Sequence, residues 1–113
     1  MAYTEKMSEK VKAEFDQYVS FISQMNGVLQ IYLFGSYAYG EPREFSDIDI
    51  MVVVKDGINT LKVMQNISRG LCDRNFPLDV LAITDSEFKI LSMPDRVTLQ
   101  RDIKDRGVLV YGH

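Results

Sequence analysis

The chain has few of the residues and segments on which several classes of protein depend. Its 113 residues include three prolines and one cysteine, Cys72, and no apolar run is long enough to span a membrane. A lone cysteine cannot form an internal disulfide, and Cys72 has no neighbouring ligands for a zinc site. The first 14 residues are studded with Glu and Lys, where a signal peptide would need an apolar core. We therefore expect one cytoplasmic domain, residues 1–113, with no membrane-bound part.

Positive charge is also in short supply. Lys and Arg together number 13 against 16 Asp and Glu, so the formal net charge is −3. Nonspecific binding to nucleic acid depends on clustered Lys and Arg that displace counterions, so we expect no direct DNA binding. A phosphate-bearing substrate would have to be attracted locally, by bound metal ions and backbone N–H groups.

The spacing of apolar residues predicts helices and strands in succession. The predicted helices cover residues 5–25, 60–73 and 95–104, with a short one starting at Ser86, and the predicted strands cover 28–34, 47–54 and 77–83. The mostly apolar strand 28–34 should lie centrally in a sheet. Residues 108–111 should form an edge strand or a packed tail, and Cys72 should be a half-buried residue of the second helix.

Two aspartates interrupt the apolar strand 47–54. Side chains alternate across a strand, so Asp47 and Asp49 should share one face while Ile48 and Ile50 point to the other. Asp is a poor strand former and paired like charges repel, although a solvated strand face would also explain the pair. A hard divalent cation such as Mg²⁺ prefers oxygen ligands and would relieve both penalties. The pair therefore points to metal-dependent phosphate chemistry.

Two further features complete a candidate site. Gly35 and Ser36 stand where a strand turns into a helical start, so backbone N–H groups and the serine hydroxyl can bind phosphate oxygens, although an ordinary turn has the same sequence. Asp79 lies on the strand 77–83, where it could also merely terminate or cap that strand. If Asp79 converges with the other two carboxylates, the three form the ligand set of a two-metal site.

A resemblance to a known family rests on three segments: Leu33-Phe34-Gly35-Ser36, then after ten intervening residues Asp47-Ile48-Asp49, and later Leu78-Asp79-Val80. Together they resemble the motifs of the polymerase-β-like nucleotidyltransferase superfamily, and the short length is similar to the minimal nucleotidyltransferases, or MNT antitoxins. The resemblance implies an α+β fold, a small mixed β-sheet with helices packed mainly on one face. It also implies ATP as substrate and Mg²⁺ as cofactor, with two ions. In that arrangement Gly35 and Ser36 would contact the triphosphate, and Asp47, Asp49 and Asp79 would be the metal-binding and catalytic carboxylates.

The resemblance also implies a partner. Relatives are often paired with a HEPN-domain toxin, a predicted ribonuclease, which they neutralise by binding it or by adding AMP to a toxin tyrosine. Two hypotheses follow: a protein adenylyltransferase that moves AMP from ATP to a toxin hydroxyl, or a non-catalytic antitoxin that masks the toxin. The apolar content of the first helix, with Met7, Met25 and Met64, exceeds what one thin sheet covers, which predicts an interface with the toxin or with a second copy.

The loop after Gly35-Ser36 departs from the family pattern. Many relatives carry arginine around the positions of Tyr37 and Tyr39, so the phosphate contacts of those arginines are in doubt here. The two tyrosines are better explained by packing or hydrogen bonding than by stacking on a base. Arg43 could compensate from the same loop as a nucleotide-binding residue, or it could simply be solvated.

Overall fold

A computed structural model describes residues 5–43 and 46–112 of the chain. The described residues form, in chain order, α1 Glu9–Ser23, β1 Val28–Phe34, a single 3₁₀ turn Gly35–Tyr37, β2 Ile48–Val54, α2 Thr60–Gly70, β3 Leu78–Thr84, α3 Asp85–Leu91, α4 Leu99–Arg106 and β4 Val108–Tyr111. The four strands make one sheet in the order β3-β2-β1-β4. β2 and β3 are parallel and are joined through α2, whereas β1 is antiparallel to both β2 and β4. This mixed sheet confirms the predicted fold class and the central position of β1.

The two longer helices, α1 and α2, cover one face of the sheet, which we call the closed face. β2 contributes Ile48, Ile50, Val52 and Val54 to it, all of them fully buried. They belong to the same core as Phe15 of α1 and Ile67 of α2. Full burial of one aliphatic side chain contributes roughly 1.5–3 kcal/mol, so this core supplies most of the hydrophobic stabilisation.

The opposite face, which we call the open face, is covered only in part. The short helices α3 and α4 form a second, smaller core there with one stretch of the strands, from Tyr32, Met51, Val53, Ile83, Phe88 and Ile103. The rings of Tyr32 and Phe88 pack with centroids 5.5 Å apart. Alternation along β2 places Asp49 on this face, next to Met51 and beyond the second core.

A partly buried carboxylate positions the start of β3. Glu14 of α1 accepts hydrogen bonds from the Tyr18 hydroxyl, from the backbone N–H and the side-chain amide of Asn75, both at 2.7 Å, and from the backbone N–H of Phe76 at 3.2 Å. Burial raises the pKa of Glu14, but these hydrogen bonds outweigh it and lower the pKa below its ordinary value. The segment before β3 is thereby held against α1.

Several boundaries differ from the sequence predictions, and capping explains two of them. α1 begins at Glu9 and not at residue 5, because the Ser8 hydroxyl caps it by accepting from the Val11 N–H. α4 begins at Leu99 and not at residue 95, because Thr98 caps it in the same way. α2 ends at Gly70, so Cys72 lies after the helix and is exposed. The prediction that Cys72 is a half-buried helix residue is wrong.

The apolar residues that suggested an interface on the first helix are used within the chain itself. Met7 is buried, and Met25 and Met64 are partly buried against the core of the closed face. The three methionines therefore add no exposed apolar surface, although Phe21 of α1 is exposed, and the predicted interface stays a prediction. Exposed apolar side chains are densest at Ile90, Met93, Val97 and Leu99. Within residues 5–43 and 46–112, no helix has the length and apolar character needed to cross a membrane.

Candidate active site

The sheet register brings two of the predicted carboxylates side by side. In the parallel pair β2–β3, Asp49 lies directly opposite Asp79, and in the antiparallel pair β1–β2 it lies opposite Phe34. Residues that pair across strands point to the same face, so Asp49 and Asp79 both project from the open face. Asp47 immediately precedes β2 and is exposed. The structure thus places the three predicted carboxylates at the same end of two neighbouring strands.

The charge of Asp49 is poorly accommodated. Burial, together with the nearby negative charges of Asp79 and Asp47, raises its pKa to about 6. None of the described residues donates a hydrogen bond to it. A half-buried carboxylate with like-charged neighbours and no donor is typical of a functional site.

The turn after β1 lies against Asp49. Gly35 has a φ of +73°, a conformation that glycine adopts without strain. A Cβ added at Gly35 would lie 2.2 Å from Oδ2 of Asp49, so any side chain there would collide with the carboxylate. Gly40 packs equally closely on the backbone of Ser36, with the corresponding Cβ position 2.8 Å from its Cα. The predicted Gly35–Ser36 turn and the predicted carboxylate Asp49 are therefore adjacent in space.

The donor set fits a hard divalent cation in chemistry and in backbone position. Carboxylate oxygens from adjacent strand ends are what Mg²⁺ binds in proteins. In their present rotamers, no three Asp, Glu, His or Cys side chains of the described residues stand close enough to hold a metal ion together. Asp47 and Asp79 are exposed, so rotation of their side chains into the site is sterically open.

No described hydrogen bond or ion pair links the side chain of Arg43 to the three carboxylates. Arg43 lines a cavity of about 380 Å³ together with Lys6, Val11 of α1 and Phe76, and none of the three carboxylates is among the described residues that line it. Its backbone N–H donates to the Ser46 hydroxyl at 2.7 Å. Its predicted contact with nucleotide therefore stays a prediction.

The two tyrosines of the loop have the packing and hydrogen-bonding roles that were predicted for them. Tyr37 is buried in the core of the closed face. Tyr39 donates a hydrogen bond from its hydroxyl to Asp102 at 3.4 Å, and the guanidinium of Arg106 lies over its ring, 4.1 Å from the centroid. Sequence reasoning missed this link, because Asp102 and Arg106 have the i,i+4 spacing of an ordinary solvated helix pair.

Comparisons with solved structures bear on the fold. A presumed nucleotidyltransferase from Sulfolobus solfataricus is similar over 100% of this chain and 89% of its own length, with a TM-score of 0.65 and 22% identity. A chain of a toxin–antitoxin structure with AMP-PNP is similar over 90% of this chain and 73% of its own, with a TM-score of 0.51 and 18% identity. A chain from the complex of the tri-AMPylated Shewanella oneidensis HEPN toxin with its MNT antitoxin matches over 90% and 70%, at a TM-score of 0.47 and 18% identity. At these identities the first two similarities establish the fold alone, and the third adds no argument.

The family of the chain is established by its sequence. No protein of curated function matches the chain. The profile of the family described as "Polymerase beta, Nucleotidyltransferase" matches residues 16–113, which include the Gly35–Ser36 turn and all three carboxylates. The chain belongs to the polymerase beta nucleotidyltransferase family.

Proposed function

We propose that this chain is a Mg²⁺-dependent nucleotidyltransferase that moves AMP from ATP to a hydroxyl group of a partner protein. The observation that carries the proposal is the contact between the Gly35 turn and the Asp49 carboxylate, with Asp79 paired beside Asp49 in the sheet. A site for triphosphate and a site for divalent cations are adjacent in this arrangement. Membership of the family supports the reaction class.

Each residue has a role in the proposed reaction. The backbone N–H groups and the Ser36 hydroxyl at the start of the 3₁₀ turn would bind the triphosphate. Asp47, Asp49 and Asp79 would hold magnesium, which when bound neutralises charge on the phosphates and lowers the pKa of the attacking hydroxyl. The acceptor oxygen bonds to the α-phosphorus, the bond to the bridging oxygen breaks, and pyrophosphate leaves. The hydroxyl proton passes to a carboxylate, a role that we assign to Asp79.

For the partner we propose a HEPN-domain toxin, so that the chain acts as an antitoxin. The motif resemblance to MNT antitoxins supports this, as does the similarity in fold to a chain of a toxin–antitoxin structure with AMP-PNP. The alternative is an antitoxin that masks its toxin without catalysis. That alternative draws support from the present rotamers, in which the described acidic side chains do not form a ready metal site.

A transfer assay separates the two. The chain is incubated with ATP labelled on the α-phosphate, Mg²⁺ and the product of the adjacent reading frame, preferably a short helical protein with an Arg-x4-6-His motif. We expect label on the partner, reduced about 100-fold or more by Asp47→Asn or Asp49→Asn, as for other groups that stabilise transition-state charge. Asp95→Asn, at an exposed aspartate outside the site, is the matched control and should leave transfer unchanged.

Two results would count against catalysis. Transfer by the Asp49→Asn variant at the wild-type rate would remove that carboxylate from the mechanism. Neutralisation of the toxin by both variants, with no label on the partner even with the wild-type chain, would establish masking in place of transfer.

A further inference from the structure

Binding of a triphosphate on the open face requires positive charge, which the three carboxylates cannot provide. A triphosphate beside Asp47, Asp49 and Asp79 meets three negative charges, so binding favours positive groups near the Gly35–Ser36 turn in addition to magnesium. Arg43 and Lys6 line the cavity next to α1. Lys104 lies beside Leu29, at the other end of β1 from the turn. Lys6 is also tied to this loop, because its Nζ donates to the Gly40 carbonyl at 2.9 Å, but it lies with Val11 and Tyr37 on the side of the closed face. On the side of the open face, the described fold ties the basic side chain of Arg106 to the turn.

Two separate connections fix the position of Arg106. It is the last residue of α4, and β4 follows it by pairing Val108 with Leu33, two residues before Gly35. Its side chain covers the ring of Tyr39, whose backbone N–H donates to the Gly35 carbonyl at 3.1 Å. α4 packs on the open face, since its Ile103 belongs to the core that contains Met51. Arg106 therefore lies on the face of the carboxylates, beside the turn.

The orientation of the guanidinium is also fixed. Nε and Nη2 donate to the two oxygens of Asp102 at 2.8 and 2.9 Å, and the Tyr39 hydroxyl donates to the same carboxylate. This bidentate pair uses two of the five N–H donors of the guanidinium. The remaining donors have no partner among the residues that the structure describes. Asp102 binds one edge of the planar guanidinium, and the Tyr39 ring packs against one of its faces. The other edge of the guanidinium is available to donate hydrogen bonds to a phosphate.

We propose that Arg106 is a phosphate-binding residue of the nucleotide site, which contacts the triphosphate of ATP and is held in position by Asp102 and Tyr39. This inference rests on the proposed function, because it assumes that ATP binds beside the Gly35–Ser36 turn. Because Asp102 balances part of the charge of Arg106, directed hydrogen bonds are the main contribution.

Arg101 provides a matched control within the same helix. It also forms an i,i+4 ion pair, with Asp105 at 2.6 Å, but its Nη1 donates to the carbonyl of Met93 and it does not stack on Tyr39. Removal of either arginine costs one exposed ion pair, so the two substitutions should affect folding alike. Of the two substitutions, only Arg106→Gln should weaken the binding of ATP.

The test is titration calorimetry of the whole chain with ATP and Mg²⁺, and separately with adenosine. We expect Arg106→Gln to weaken ATP binding about tenfold, the usual effect of losing a hydrogen bond to a charged group, and Arg101→Gln to change it less than twofold. Adenosine has no phosphate, so its binding should be equal in all variants. Arg106→Lys should recover only part of the loss, because an ammonium lacks the planar fork. Tyr39→Phe, which retains the ring, should stay close to wild type.

The possible failures are distinguishable. If the wild-type chain takes up no ATP with Mg²⁺, the proposed function fails and this inference fails with it. If the wild-type chain binds ATP and Arg106→Gln binds it as tightly as Arg101→Gln, the proposed function stands and Arg106 has no part in it. Equal weakening of ATP and adenosine by Arg106→Gln would assign it a structural role and overturn the phosphate contact.

Discussion

The two faces of the central sheet carry residues from the same strands but differ in what they do. On the closed face every β2 side chain is aliphatic and fully buried. On the open face β2 begins with a half-buried carboxylate and becomes apolar only at Met51 and Val53. The comparison teaches that one face of β2 can fix the fold while the other, at one end, is free to carry charge that destabilises it.

Two carboxylates, one on each face, also differ in their electrostatic environment. Glu14, on the closed face, accepts four hydrogen bonds and has a lowered pKa. Asp49, on the open face, has like-charged neighbours and a pKa raised to about 6. The ionised form of Glu14 therefore stabilises the folded state, whereas that of Asp49 opposes it. The free energy lost at Asp49 is what a cation bound there would recover.

The contact between the two parts of the site can be broken by Gly35→Ala. Positive φ costs an L-residue about 1–2 kcal/mol, and at Gly35 the new methyl group would also collide with Asp49. Gly57→Ala is the control, since Gly57 has a φ of +91° but nothing within 4 Å of the added Cβ. We expect Gly35→Ala to lower the free energy of unfolding in urea by at least about 2 kcal/mol, more than the control, and to abolish ATP binding. Equal costs at the two glycines would refute the close approach to Asp49.

The closed face can be weakened by Glu14→Gln. The amide keeps one acceptor oxygen but puts an NH₂ group in place of the other, so at least one N–H donor around Glu14 loses its acceptor and the change should cost about 1–2 kcal/mol at neutral pH. Because the folded pKa of Glu14 is lowered, its contribution is complete above the ordinary value of 4.5 and is lost as the pH falls through the folded pKa. Urea titrations at several pH values should therefore show the variant and wild type converging in acid. Glu9→Gln, at an exposed position of the same helix, should cost a few tenths of a kcal/mol.

A substitution on the open face should have the smallest effect on stability. Its sign should be opposite to that of the other two, because it should stabilise the chain. The pKa of Asp49 is raised from 3.8 to about 6, so the folded state binds more protons between these values and stability falls as the pH rises through them. Asp49→Asn should thus stabilise the chain by about 1 kcal/mol above pH 6 in chelator-treated buffer, a figure reduced for the exposed part of the side chain. The gain should vanish below pH 3.8. A loss of stability at pH 8 would mean that Asp49 is structurally satisfied and would weaken its assignment to the site.

Local sequence pattern determined much of this molecule. The bounds of β1 follow from a mostly apolar run between Gly27 and Gly35, and period-two alternation alone separates Ile48 and Ile50 from Asp47 and Asp49. The spacing of the Gly35–Ser36 turn, the Asp47–Asp49 pair and Asp79 was enough to indicate the family to which the chain belongs. These features are readable because they depend on neighbours along the chain.

Only the tertiary structure decided what depends on partners distant in sequence. Strand register set Asp79 opposite Asp49, and the packing of α4 on the open face brought Arg106 over Tyr39. Neither contact leaves a local trace, since an exposed arginine four residues after an aspartate has the same sequence whether it faces water or a binding site. For Cys72 the local pattern was misleading. The apolar stripe of α2 continues in the sequence beyond the residue where the helix ends, so Cys72 was expected within the helix but lies exposed after it.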